Sequence, residues 1–497
     1  MRYSHGQTKG SVKGAVEGQL KSQFKDPLKN QLPKTHTSNW LERLGLIGFS
    51  SIEAPLLAAL VTGSPLLLIG AHGTAKTLLL TRVATALKLE FRHYNASLLN
   101  FDDLVGFPLP GKDGTLQYIQ TPASIWGAGA VIFDEISRCR PDIQNKLFPI
   151  IHERRVQGLL LEGLRFRWAA MNPPATDDDD NGYAGSEPLD AALADRFAFV
   201  VDMPHWDQFT PAEQLAVIQA QDRPIEPEDA DYLVSLIART EQGLLALEAD
   251  FSDGIARYVQ TVVALLAHGG TTLSPRRANL LYRNVLAVNA AALAIDPNTS
   301  PSDATLWALR ASLPQRAQGI AVNEVKLLAV HKEAMHWIDL KANDPIRAIL
   351  CASSPLQRIL LAVKASKLAK GEFSRIAADA LALLPHGARE AAIVHLFETG
   401  AVGRLNAAVA AQAGEAYRDI ASPPVFSQTL HASNSRYATW GRVKDLLSKL
   451  NPNDPRAHLH ANAIASLFAK SKLQTPQDAE CAFIAFADTD QAMRLAA

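Results

Sequence analysis

The 497-residue chain has three cysteines, Cys139, Cys351 and Cys481, far apart and in no metal-ligand spacing. That excludes a disulfide framework and a cysteine zinc site, and fits a reducing, cytoplasmic compartment. An excess of one charge is lacking too. With 49 Lys and Arg against 50 Asp and Glu, nothing in the overall balance calls for nucleic-acid binding. No uncharged run of about 18 strongly apolar residues occurs, so no membrane partner or spanning helix is expected. The opening MRYSHGQTKGSVKG lacks the apolar core of a secretory signal. What remains, 47% hydrophobic and 20% charged residues, suits a folded chain of about three or four domains.

Residues 1–38 carry seven basic residues against Glu17 and Asp26, with little apolar periodicity, which predicts a basic flexible arm. Over 39–205, short apolar runs alternate with helical patterns, as in a parallel α/β domain. The expected strands are Leu66–Ile69, Phe91–Asn95, Ala130–Asp134, Arg167–Asn172 and Phe197–Asp202. Two hairpins interrupt the series: Pro108–Gln120, turning at Gly111-Lys112-Asp113-Gly114, and Val156–Trp168, turning at Glu162-Gly163. Residues 206–300 read as a helical lid, with Pro275 opening one helix. Residues 301–497 are rich in Ala and Leu, punctuated by prolines, and predict a C-terminal all-α region. His458 and His460 lie two residues apart, on different faces of a helix, which argues against a shared ion.

The chemistry gathers at the ends of the predicted strands. Gly70-Ala71-His72-Gly73-Thr74-Ala75-Lys76-Thr77-Leu78 follows an apolar strand and opens a helix, the setting of a phosphate loop. Backbone N–H groups there would cradle a β-phosphate at the helix N-terminus, with Lys76 on the β/γ oxygens and Thr77 on Mg2+. Ala75 stands where the strict pattern has Gly, at a position expected to be helical. Val131-Ile132-Phe133 ends in Asp134 and Glu135, which would hold the metal's water shell and polarise an attacking water. Asn172 ends another strand, where its amide would position that water or sense the γ-phosphate. Arg196, in Asp195-Arg196-Phe197, would in a ring reach a neighbour's γ-phosphate. Arg276, in Ser274-Pro275-Arg276, would contact the γ-phosphate of its own subunit, with Arg277 as an adjacent alternative.

These motifs, with LLNFDDLVGFPLPGKDGTLQYIQTPASIW over 98–126 and LDAALADRF over 189–197, resemble the AAA+ ATPases and, within them, the MoxR family. The resemblance covers about residues 40–300. It implies an α/β P-loop core with a five-stranded parallel sheet and a hairpin inserted into the helix after the second strand. It implies a Mg2+-ATP hydrolase forming a ring, usually of six subunits. In that pattern Glu135, Asn172, Arg196 and Arg138 are catalytic, Arg196 being the finger, and Arg276 is the lid sensor. It further implies a chaperone-like machine acting on a protein client, often with a von Willebrand factor A partner. Residues 175–188 depart from the pattern as a longer loop bearing Asp177–Asp180, read as a solvated loop or else as a partner-contacting or metal-attracting patch, which near the subunit interface could also modulate ring assembly. Two other functions compete: a nucleotide-gated scaffold with negligible turnover, which the full catalytic set opposes, and a nucleic-acid motor, supported only by the basic arm.

Overall fold

The computed structural model describes residues 39–110, 116–174, 186–221, 223–340, 344–352, 354–422 and 435–496. The basic arm, the tip of the first hairpin and the acidic stretch Asp177–Asp180 lie outside the described residues. Two compact units divide the chain. The first takes the described residues up to Val259 together with Leu273–Ile338, and the second takes Gln260–Thr272 and the described residues from Asp339 onward.

The first unit is built on a parallel sheet of β1 (Leu66–Ile69), β2 (Phe91–Asn95), β5 (Ala130–Asp134), β8 (Phe166–Met171) and β9 (Phe199–Asp202), in the order β2-β5-β8-β1-β9. Every residue of β1 and β8 is buried, and so are the first four of β5. Strands covered on both faces have no solvent side, so they read as unbroken apolar runs. The register sets Leu66 beside both Trp168 and Phe199, and so aligns the carboxyl ends of β8, β1 and β9. The α/β expectation with five parallel strands is met, strand by strand, within two residues at each end.

The hairpins depart from expectation in one detail. β3 (Phe107–Pro110) pairs with β4 (Leu116–Ile119), as the sequence pattern requires. Gly106, at φ +88, lets the chain pass Ile119, because a Cβ there would sit 2.1 Å from the Ile119 carbonyl oxygen. The second hairpin, β6 (Arg155–Val156) with β7 (Leu159–Leu160), turns at Gln157-Gly158 and not at Glu162-Gly163. Both turn residues have positive φ, 49° and 82°, the backbone of a two-residue type I′ turn, whose twist matches the strands it joins.

Helices close the sheet. α1 (Trp40–Arg43) and α2 (Glu53–Thr62) precede β1, and α3 (Lys76–Ala86) follows it. α4 (Phe101–Val105) leads into the first hairpin, and α5 (Pro141–Glu153) follows β5. α6 (Ala191–Ala194) precedes β9, and α7 (Pro211–Gln219) and α8 (Pro227–His268) come after it. α9 (Pro275–Ile295) starts at a Ser274 cap, whose hydroxyl accepts the Arg277 N–H at 3.0 Å, with Pro275 in the first turn as expected. It is long and apolar enough to cross a membrane, yet two thirds of that apolar stretch is buried in the fold, against α2 and α10 (Pro301–Ala311). α10 and α11 (Glu324–His336) belong to the first unit, and the described residues from Asp339 onward, with Gln260–Thr272, to the second.

The second unit is helical: α12 (Pro345–Leu350), α13 (Pro355–Lys364), α14 (Lys370–Leu383), α15 (Ala388–Glu398), α16 (Ala407–Ala421), α17 (Ser435–Leu447), α18 (Ala457–Ala469) and α19 (Pro476–Ala496). Asp344 and Ser354 cap helices whose first residue is proline, which is how the proline punctuation is used. Gly387, at φ +88, lets the chain pass within 2.0 Å, for a would-be Cβ, of the Ala482 carbonyl oxygen. His460 packs against the rings of Phe483 and Phe486, and burial pulls its pKa down to about 4. It is a neutral core residue.

Glu53 carries an energetic conflict in the first unit. It is 4% exposed and accepts the Leu41 N–H at 2.9 Å, tying α1 to the start of α2. Burial raises its pKa from 4.5 to about 7. The folded state therefore holds a proton that the unfolded chain releases between those values, so stability present below pH 4.5 is lost as pH rises through 7. From 4.5 to about 7, at about 1.4 kcal/mol per pH unit, the cost is about 3 kcal/mol. Glu53→Gln is expected to gain melting temperature relative to wild type as pH rises from 4.5 to 7. Parallel melting curves across that range would dismiss the assignment.

Candidate functional site

Because all five strands run the same way, β1, β5 and β8 deliver their carboxyl ends to one edge of the sheet. Gly70 leaves β1 where a Cβ would meet the Met203 side chain and the Thr74 hydroxyl, each at 2.7 Å, so only glycine fits. Gly73 has φ +76. Ala75 is not helical, contrary to expectation: it caps α3 in the left-handed region at φ 58. A methyl group is held there against its steric preference, because the chain must turn sharply to point the first amides of α3 into the loop.

Lys76 is 8% exposed, and its ammonium donates to the carbonyls of Gly70 (2.7 Å) and Ala71 (2.9 Å) and to Asn172 Oδ1 (3.0 Å). Burial lowers its pKa, against the pull of Asp134 and Glu135. The Thr77 hydroxyl donates to Asp134 Oδ2 at 2.6 Å. Burial alone would raise the Asp134 pKa, but His93, Thr77 and the Glu135 N–H bond the carboxylate and hold it below the usual range. Asn172, fully buried, joins both halves of the site: its Oδ1 accepts from Lys76 and its amide nitrogen lies 3.3 Å from Glu135 Oε1. Arg138 Nε sits 2.9 Å from Glu135 Oε2. Arg138 thus holds the carboxylate of its own chain.

An apolar cavity of about 440 Å³ adjoins the loop, lined by Leu46, Ile47, Phe49, Leu78, Trp206 and Phe209, with His72, Gly73 and Thr74 at its rim. Phe49 meets Phe209 edge to face at 5.9 Å, and a Cβ on Gly48 would strike that ring at 2.9 Å. A flat aromatic base beside a phosphate loop suits this lining. This wall is not legible in the sequence, because its residues come from three separate segments, around 46–49, at Leu78 and at 206–209. The same holds for His93. His93 Nε2 lies 3.4 Å from Asp134 Oδ2 because β2 pairs with β5, an adjacency that residue order leaves open.

Two expected members stand elsewhere. Arg196 precedes β9 and so lies at the amino edge of the sheet, away from Lys76. Its guanidinium stacks over Phe148 at 4.5 Å. Arg276 does not join Lys76 as a sensor within the subunit. It lies 3.4 Å from Asp195, beside Arg196 and His152, because Asp195 anchors the start of α9. Arg277, 1% exposed, binds Asp195 at 3.2 Å and the carbonyl oxygens of Phe197 (2.9 Å) and Ser312 (3.1 Å). It is a strut, with no face left for a ligand.

The sequence model of the AAA domain, dynein-related subfamily, matches residues 65–197. No curated protein matches the chain. Among solved structures, a protein of Cytophaga hutchinsonii designated a candidate ATPase is similar at 19% identity, covering 66% of this chain and 98% of that one with a TM-score of 0.40. That likeness is too loose to carry an argument. Residues 65–197 thus match an AAA domain, and this match supports an ATP-hydrolysing AAA+ protein.

Lys76→Ala is expected to abolish turnover and weaken nucleotide binding at least tenfold. Glu135→Gln is expected to keep ATP bound while phosphate release falls about 100-fold or more, as for loss of a positioned base. An unchanged rate in Glu135→Gln would remove that residue from the chemistry. Gly48→Ala, which pushes a methyl group toward Phe209, is expected to weaken ATP several-fold more than inorganic triphosphate. Equal losses for the two ligands would show that the apolar cavity does not hold the base.

Proposed function

We propose that this chain is a MoxR-type AAA+ ATPase that hydrolyses ATP at contacts between subunits of a hexameric ring and uses the cycle to remodel or mature a protein partner. The observation that carries this reading is the position of Arg196. It precedes β9 while Lys76 follows β1, and the two strands pair in parallel. Four residues at about 3.3 Å each put roughly 13 Å of strand between these edges. Arg196 therefore cannot serve the nucleotide of its own chain, and a second copy can use it.

Within one subunit the division of labour follows from the contacts. Lys76 meets the β/γ-phosphate oxygens, exchanging carbonyl partners for anionic ones. Thr77 and Asp134 offer hard oxygen ligands at one locus and would hold Mg2+, which offsets phosphate charge when bound. Glu135 accepts the proton of the attacking water as oxygen bonds the γ-phosphorus and the bridge to the β-phosphate breaks. Asn172 and Arg138 orient that carboxylate. Arg196 stabilises the charge of the neighbour's transferring group.

The hairpins support a client-facing role. Phe107, Leu109 and Ile119 on the first and Leu159 and Leu160 on the second are exposed. The Tyr118 hydroxyl bonds Gln157, joining the two hairpins. The helical second unit is the proposed docking module for the client or for a von Willebrand factor A partner, in a cytoplasmic setting.

ATP turnover per subunit is expected to rise with protein concentration as mass by light scattering reports assembly. Arg196→Ala is expected to assemble and bind ATP normally but to hydrolyse it about 100-fold more slowly or worse. Full activity in dilute monomer, or in Arg196→Ala, would defeat the ring reading.

A further inference from the structure

At the amino edge of the sheet, opposite the nucleotide loop, a second cavity of about 450 Å³ opens. Its wall carries His152 and Arg154 from the end of α5, Arg165 and Arg167 at the start of β8, Arg196 before β9, and Arg283 on α9. No carboxylate lines it. Five guanidinium groups thus face one space. Only Arg165 has an acidic partner among the described residues, Glu241 at 3.4 Å across an exposed gap. Asp195, close by, is taken by Arg276 and Arg277.

Arg167 makes the imbalance physical. It is 7% exposed, yet its hydrogen bonds go to neutral carbonyls, Ile151 at 3.0 Å and Gly63 at 2.8 Å. Burial, with the Arg154 charge beside it, pulls its pKa down to about 10. A buried cation without a counter-charge is costly, and an anion entering from outside removes the cost. Burial and the charges of Arg276 and Arg196 lower the His152 pKa too, so the repulsion extends across the wall. The side chains of Arg154 and Arg283 have no hydrogen-bond or ion-pair partner among the described residues, and both are exposed. Free guanidinium forks over a fixed buried charge suit an anion with several oxygens that can take bidentate bonds.

We propose that this cavity binds a polyphosphate anion, with Arg154 and Arg283 as its mobile ligands and Arg167 as the fixed charge behind them. The wall specifies the anion and not its carrier. A triphosphate held by a second copy of this chain and free inorganic triphosphate present the same group. The first source rests on the ring reading given above, whereas the second does not.

Inorganic triphosphate is titrated by calorimetry into Lys76→Ala, whose own nucleotide loop is disabled, and into the same chain also carrying Arg154→Ala and Arg283→Ala. Saturable one-to-one binding is expected in the first, at least tenfold weaker in the second, and weakening with added salt. In parallel, Arg154→Ala/Arg283→Ala with an intact loop is assayed for turnover and nucleotide affinity, alone and mixed with Lys76→Ala. A tenfold or greater fall in turnover at unchanged nucleotide affinity, partly recovered in the mixture, assigns the anion to a second copy. Triphosphate binding that depends on the two arginines, with turnover untouched, assigns it to a free anion. Absence of triphosphate binding, with turnover either untouched or lost beyond recovery by mixing, overturns the proposal. Arg196→Ala, run alongside, separates the failures: if it alone stops turnover, the ring reading survives without this cavity, and if it too is active, both fall.

Discussion

The chemistry of the first unit depends on five strands running in one direction. A parallel sheet has two unlike edges, and the register of β1 with β8 and β9 leaves no slack between them. Loops leaving the carboxyl ends hold Lys76, Asp134, Glu135 and Asn172. The segments entering the amino ends hold Arg165, Arg167 and Arg196. The first edge gathers carboxylates and a buried amide around one lysine; the second gathers guanidinium groups. The two unlike edges follow from the parallel topology, and the side chains placed on them give each edge its own charge.

Asn172 shows how little the site leaves to chance. A buried side-chain amide must satisfy both its ends, and this one meets Lys76 with its oxygen and Glu135 with its nitrogen. The cation that would meet phosphate and the base that would meet water are therefore held through one group. Ser186, bonded to both the Ser137 hydroxyl and the Asn172 carbonyl oxygen, fixes the backbone beneath it.

Much of this was legible in the sequence. The phosphate loop, the Asp134-Glu135 strand end and Asn172 are local patterns, each complete within a few residues and each following a run apolar enough to be a buried strand. The hairpin turn was misplaced because Glu162-Gly163 and Gln157-Gly158 both look like turns, and only strand pairing decides between them. Ala75 was read as helical since its left-handed backbone follows from the loop's path rather than from its own preference. Arg276 lies beside Asp195 and not beside Lys76, because Asp195 accepts from the Ser274 hydroxyl at the start of α9, a contact that helix order does not reveal. His93 and the Phe49–Phe209 wall were invisible for the same reason: they are contacts across the chain, with no pattern along it.

The bond between Tyr118 and Gln157 joins two hairpins that leave the core at separate places, one before β5 and one after it. Each hairpin alone would be a hinged finger with its own range of motion. Fastened at this point, neither moves far without breaking that bond or carrying the other with it, and Phe107, Ile119, Leu159 and Leu160 are among the exposed apolar side chains the pair presents. While that bond holds, a force on either hairpin is shared by both roots, and the α5 segment between β5 and β6 takes part of the load placed on the first hairpin.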